Sequence, residues 1–279
     1  MKYAKYLLIL LLSLPVGYTF CGSVGDLGGA IVNKEDVDYG DISKFYPEVG
    51  SNVYVACKST VREEPSTSSR KVKTIEGGTC VSVLGYVDDW AIIPSGYIYA
   101  GLLSSKYDEK LDITSSDMES RKYIGYIHTK LASLSGKLLE TAESTPIRLV
   151  MTTEELEVET PGVEPAGVTE KWKGTDLIDI SIKCNTGPMF KNLVHELGHV
   201  IDYKDRKTDE LYSSSDEFIS IYKSEVEGFR KAYITSEHNT SDSREYFADI
   251  IKWYNDNKKK LKETAPKSFE YIDSILGGK

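Results

Sequence analysis

The sequence predicts an α+β protein in two parts, a small all-β barrel followed by a mainly helical domain. Three observations carry this reading. Short β-rich runs separated by turn residues crowd into residues 53–103. From Ser116 onward, apolar residues recur at three- and four-residue steps. Strand-like segments at 147–151, 167–172 and 177–182 interrupt the helical pattern, so the second part is mixed. A chain of 279 residues, 40% hydrophobic and 28% charged, is long enough for one or two domains with a sizeable core. That composition excludes disordered, collagen-like and coiled-coil classes. A formal net charge of -9 and a pI near 5.1 exclude a nucleic-acid binder, which needs a basic face.

Residues 1–20 have the three parts of a secretory signal. Lys2 and Lys5 supply a positive start, Leu7 to Leu14 an apolar run, and Pro15 and Gly17 a helix break. The run is too short to span a bilayer. Small residues suit cleavage after Thr19 or Ser23, while Phe20 before Cys21 disfavours lipidation. No second apolar stretch follows, so the mature protein is expected to be secreted, without a membrane span. Export permits disulfides, and Cys57 and Cys80 lie in adjacent strand-like segments that could pair. Residues 21–52, rich in glycine and acidic residues, read as a linker.

The β-rich part reads as five strands: Val53–Cys57, Lys71–Ile75, Thr79–Leu84, Trp90–Ile93 and Tyr97–Ala100. Gly77-Gly78, Val87-Asp88-Asp89 and Pro94-Ser95-Gly96 punctuate them. Val61-Arg62-Glu63-Glu64-Pro65-Ser66, Val72, Gly78 to Gly85, Trp90 and Gly96-Tyr97-Ile98 together resemble a bacterial SH3 domain over 53–103. Glu64 departs from that family, which has glycine before the proline. The resemblance implies a targeting or binding module with a cell-wall or surface ligand.

In the second part, 104–279, Met118, Ile124, Ile127, Leu131, Leu134 and Leu138 outline a helix that ends at Ser144-Thr145-Pro146. His128, a lone histidine on it, reads as surface or core filler. Further helices are expected over Met189–Tyr203, Asp216–Tyr233, Arg244–Asn257 and Pro266–Leu276. The basic run Lys258–Lys260 reads as a solvated helix end.

Chemistry concentrates at His195-Glu196-Leu197-Gly198-His199, an H-E-x-x-H pattern. On a helix the two histidines are four apart and share a face, so they can hold one metal ion. Imidazole suits Zn2+, and a catalytic zinc takes three protein ligands and a water. Glu196 sits beside the first histidine, where it can reach that water as general base without being a ligand. Phe190, Leu193, Val194, Leu197, Val200 and Ile201 form the apolar stripe of the same helix. Thr186 or Asn185 could cap it, and Pro188 suits its first turn.

Glu245 fits best as a gluzincin-type third ligand from a second helix capped by Ser241-Asp242-Ser243. Asp249, four residues on, would accept the free ring N–H of His195 and fix its tautomer. Asp205 lies six past His199, where one class of H-E-x-x-H enzymes keeps its third ligand, but Asp202 stands where that class needs glycine. Asp202 therefore reads as supporting or structural. His238 is a further histidine, in an isolated loop.

The two motifs, His195 to Asp202 and Glu245 to Asp249, resemble the catalytic domain of anthrax lethal factor and the secreted Pro-Pro endopeptidases of clostridia. The resemblance covers about Ser104–Lys279. It implies one Zn2+ per chain on His195, His199 and Glu245, with Glu196 as base. In that family a tyrosine seven residues before the third ligand steadies the oxyanion. Here His238 holds that position, so His238, Tyr233 or another tyrosine would take the role. The expectation is a zinc-dependent endopeptidase acting on peptides or proteins. Its alternatives are a wall- or protein-binding chain with an inactive peptidase domain, or a peptidase acting on cell-wall peptides. The strand 177–182 is expected to pair with an extended substrate.

Overall fold

The computed structural model describes residues 18–20, 42–144, 147–156, 165–185, 189–233 and 240–277. The start of the expected signal, Cys21, most of the linker, Thr186, Pro188 and His238 lie outside the described residues.

The N-terminal unit is all antiparallel β. Its strands are β2 (Asn52–Val55), β3 (Ser59–Arg62), β4 (Lys71–Ile75), β5 (Cys80–Ser82), β6 (Gly85–Val87), β7 (Trp90–Ile93), β8 (Gly96–Tyr99) and β9 (Leu103–Ser104). Eight strands thus replace the five expected, because β3, β6 and β9 are too short to show a clear alternation. They form two sheets, ordered β5-β2-β9 and β4-β3-β8-β7-β6. No hydrogen-bonded ladder joins these sheets into one barrel among the described residues. Val53, Val55, Val61, Ile75, Val83, Ala91, Ile93 and Ile98 fill the space between them. The β7–β8 turn requires glycine. Gly96 has φ +133°, and a Cβ there would lie 2.4 Å from the Arg62 carbonyl oxygen.

Cys57 and Cys80 are free thiols, not a disulfide. Cys80 pairs with Tyr54, three residues before Cys57, an offset of about 10 Å along a strand. A disulfide needs Cα atoms within about 7 Å. The end of the expected linker is packed: Phe45 stacks on Tyr126 with centroids 4.1 Å apart, and the Tyr46 hydroxyl donates to Asp89 at 2.7 Å.

The second unit adds β10 (Ile113–Ser115), α1 (Ile124–Leu131), α2 (Gly136–Ala142), β11 (Ile147–Thr152), β12 (Gly167–Lys171), β13 (Ile178–Lys183), α3 (Met189–Asp202), β14 (Tyr203–Asp205), β15 (Glu210–Leu211), α4 (Asp216–Tyr233), α5 (Ser243–Thr264) and α6 (Pro266–Leu276). The helix expected from Ser116 is broken: a short 3-10 turn precedes α1, and Gly136, at φ +56°, opens α2. Met118 is exposed rather than core. The helix expected to end at Asn257 instead kinks there and runs on to Thr264.

The main sheet is ordered β1-β12-β13-β11-β10, where β1 is Tyr18–Phe20. Strands β10, β11 and β13 are parallel, and β12 is antiparallel to β13. β13 is therefore interior, with hydrogen-bonded neighbours on both sides, and cannot receive an extended substrate. The outer side of β12 is paired antiparallel with β1, Tyr18 opposite Glu170 and Phe20 opposite Val168, so the sheet ends at β1 and β10. Helix α3 packs on β12 and β13 on one side and on α5 on the other. Leu193, Val194, Leu197 and Val200 are all buried in that sandwich, each contributing roughly 1.5–3 kcal/mol.

The two units meet through glycines. A Cβ on Gly125 of α1 would lie 2.1 Å from the Leu103 carbonyl oxygen, and one on Gly101 would lie 2.4 Å from that of Lys122.

Candidate metal centre

Helices α3 and α5 bring the chemistry together because they cross closely. Gly198 allows it: a Cβ at that position would meet the Ala248 Cα at 2.8 Å. The crossing puts the first two turns of α5 over the middle of α3. The Asp242 side chain caps α5 by accepting from the backbone N–H of Arg244 and Glu245, which fixes where Glu245 begins its turn.

His195, His199 and Glu245 converge. One donor atom from each lies within 4.8 Å of the others, and all three residues are buried. His195 Nε2 is 3.3 Å from Glu245 Oε2, and His199 Nε2 is 3.5 Å from Glu245 Oε1. The other ring nitrogen of His195, Nδ1, faces Asp249 Oδ1 at 3.2 Å. Asp249 also accepts from the Lys252 ammonium.

The electrostatics differ between the two imidazoles. Burial opposes charge on His195, but the facing carboxylates of Asp249 and Glu245 outweigh it and raise its pKa to about 9. His199 is pushed well below the usual histidine range by burial, then by the positive charges of His195 and Arg244. Burial works against ionisation of Asp249, yet Lys252 and His195 hold it down at about 2.

These residues fit a metal ion. Neither ring nitrogen of buried His199 has a hydrogen-bond partner among the described residues, an arrangement that is costly unless something else is bound. Glu245 and Asp249 are both buried beside the two histidines, and a divalent cation would offset such a cluster. The set of two imidazoles and one carboxylate is also that of catalytic zinc sites.

Glu196 follows His195 but faces the sheet. Its Oε2 accepts from the Thr169 hydroxyl at 2.7 Å, and its backbone carbonyl is 3.2 Å from the same hydroxyl. Gly167, two residues earlier on β12, leaves room for it: a Cβ there would sit 2.9 Å from Glu196 Oε1. Sequence reasoning passed over Thr169 and Gly167. Only strand alternation, which puts 167, 169 and 171 on one face, offered a signal.

Asp202 is buried but lies off the metal cluster. Its Oδ1 accepts from the Ser213 N–H at 2.7 Å and its Oδ2 from the Ser213 hydroxyl at 2.5 Å. It ties the end of α3 to the start of the 3-10 turn at Tyr212–Ser214. Asp205 is on β14 and accepts from the Lys207 N–H. Tyr233 is turned away: it stacks on Trp253 at 4.2 Å, and Thr264, at the far end of α5, donates to its hydroxyl. Tyr233 is therefore no candidate for the oxyanion. His128 is buried against the Lys106 and Asp108 carbonyls and stacks on Tyr107.

Residues 170–275 match the family model described as anthrax toxin lethal factor, N- and C-terminal domain. This stretch is lethal factor-like; it holds α3, α4, α5 and nearly all of α6 and excludes the β unit. Among solved structures, a Pro-Pro endopeptidase from Paenibacillus alvei is 19% identical, over 60% of this chain and 98% of that chain, with a TM-score of 0.42. No curated protein matches. No helix among the described residues is long and apolar enough to cross a membrane.

Proposed function

We propose that the chain is a zinc-dependent endopeptidase in which His195, His199 and Glu245 hold the ion and Glu196 is the general base. The observation that supports this most is the buried convergence of those three side chains, with His199 left without a hydrogen-bond partner among the described residues. The match of 170–275 to the lethal factor family adds to it. Zinc bound there would supply a Lewis acid that acidifies a water and polarises a peptide carbonyl.

The chain's own residues do the rest. Asp249 accepts the His195 Nδ1–H and so presents Nε2 to the ion. Thr169 donates to Glu196 Oε2 and so fixes the carboxylate that acts as base. Glu196 takes a proton from the attacking water and passes it to the leaving amine. The outer edge of β12, once β1 has left it, orients an extended peptide by backbone pairing. His238 stands seven residues before Glu245 in the sequence, and we propose it as a donor to the developing oxyanion, a role its variant His238→Ala would test through kcat.

We further propose that the protein is secreted and that the β unit is an SH3-like module that localises it at a surface or cell wall. Secretion rests on residues 1–20 and the module on the 53–103 motif.

Cleavage of a peptide library by the wild type and Glu196→Ala tests the catalytic reading. Both proteins should bind about one zinc per chain, and the variant should lose at least 100-fold in rate. Equal products from both would refute it, and absence of zinc from the wild type would favour a binding role instead.

A further inference from the structure

Past His199, where α3 gives way to β14, lies a cation that the proposed chemistry does not use. Tyr203, four residues past His199, begins β14 where α3 ends. Its ring lies near two cations, Lys171 on β12 with the ammonium 5.4 Å from the centroid and Arg244 on α5 with the guanidinium carbon 5.8 Å away. The two cations differ in how they are satisfied. Lys171 is paired with Asp209 and donates to the Arg206 carbonyl. Arg244 makes a long contact from Nη2 to the Tyr203 hydroxyl, 3.4 Å, and its charge acts on the Asp202 carboxylate, but its buried Nε has no hydrogen-bond partner among the described residues.

Nearby carboxylates do not fill that gap. Both oxygens of Asp202 accept from Ser213, and Asp242 Oδ1 accepts from the backbone N–H of Arg244 and Glu245. Arginine presents its donors as a planar fork that matches a carboxylate in two parallel bonds. A fork with an unfilled buried edge, one residue from a candidate metal ligand, is suited to a ligand carboxylate.

Strand β12 says where on a substrate that carboxylate would be. Thr169 and Lys171 share a face. Thr169 reaches Glu196, and Lys171 reaches Tyr203. A peptide antiparallel to β12, the polarity that β1 takes, runs from the Lys171 end towards the Gly167 end. Its residues N-terminal to the bond facing Glu196 therefore pass Tyr203 and Arg244.

We propose that Arg244 is a specificity residue that binds an acidic side chain of the substrate, within about two residues N-terminal to the scissile bond. This rests on the endopeptidase reading above and deepens it. The test uses the full chain loaded with zinc and peptides carrying Asp or Glu, Asn or Gln, or Lys at each of those positions. The wild type should prefer the acid over its amide by about tenfold or more in kcat/KM, chiefly through KM. Arg244→Ala should bring that ratio to within about twofold, Arg244→Lys should keep only part of it because the fork is gone, and Arg244→Glu should favour lysine. A ratio unchanged in Arg244→Ala would overturn the proposal. So would an equal fall in kcat on every peptide, which would instead make Arg244 a donor to the oxyanion.

Calorimetric binding of the same uncleaved peptides to zinc-loaded Glu196→Ala, with and without Arg244→Ala, reads the preference without turnover. It separates this inference from the parent reading, which fails when the wild type and Glu196→Ala give the same products. Zinc content and melting temperature of each variant report folding, and Arg244→Lys serves where Arg244→Ala is unstable.

Discussion

At the residue scale, the centre is governed by two histidines that burial treats alike and neighbours treat differently. His195 faces Asp249 on one side and Glu245 on the other, so in the metal-free chain its folded pKa, about 9, exceeds the usual histidine value of 6.5. A raised pKa stabilises the folded state below the unfolded value, and the contribution is lost as pH rises through the folded one. The metal-free protein should accordingly lose stability between about pH 6.5 and 9, as urea midpoints at constant ionic strength would reveal. A flat profile in metal-free Asp249→Asn, beside a falling one in the wild type, would tie the effect to this pair. The same carboxylate has a second measurable role. By holding Nδ1–H it presents Nε2, so Asp249→Asn should weaken zinc binding by about 10- to 100-fold in a competitive chelator titration. Unchanged affinity would remove Asp249 from the site.

At the element scale, the site exists because α3 and α5 approach closely. The H-E-x-x-H spacing sets two donors on one face of α3, but Glu245 arrives only because Gly198 lets the Ala248 backbone in. A valine at 198 would overlap that backbone. Gly198→Val should cost about 1–3 kcal/mol or more in unfolding free energy and lose zinc along with it, whereas Gly228→Ala, on α4 with no atom within 4 Å of its would-be Cβ, should do neither. Zinc retained at full occupancy in Gly198→Val would show that the crossing is not what delivers Glu245. The strand elements tell a related story. The alternation in 177–182 reads equally well as an edge or an interior strand, since a period of two says nothing about who the neighbours are. Pairing with both β11 and β12 makes it interior.

At the scale of the whole molecule, the most informative contact joins segments far apart in sequence: Tyr18–Phe20 pairs along the outer edge of β12. Those residues fall inside the expected signal. If they leave with it, the edge opens. A chain beginning at Val24 should therefore cleave an extended peptide at least severalfold faster in kcat/KM than the uncut chain, at equal zinc content, because a peptide no longer competes with an intramolecular strand. Equal rates would show that β1 does not block the edge. The two units also share a glycine-tight boundary at Gly101 and Gly125, so the β unit is not a loose appendage. Its sheets are less regular than a single closed barrel, which motif spacing could not reveal because closure depends on ladder bonds between distant strands.

Much of this was legible in the residues themselves. The H-E-x-x-H spacing is local, and helical geometry alone converts it into two donors on one face. The α5 segment was readable for the same reason: Asp242 as cap, then Glu245 and Asp249 one turn apart, are all relations within one helix. What the sequence left open were the relations between elements. The pairing of Cys57 with Cys80 failed on strand register, the third ligand was one of several acids until the helices crossed, and Tyr233 was turned away by its stack on Trp253. Thr169 beside Glu196, and Arg244 beside Tyr203, join positions 27 and 41 residues apart. Local periodicity fixes which face a side chain takes; only the packing of the buried faces against one another decides which side chains meet.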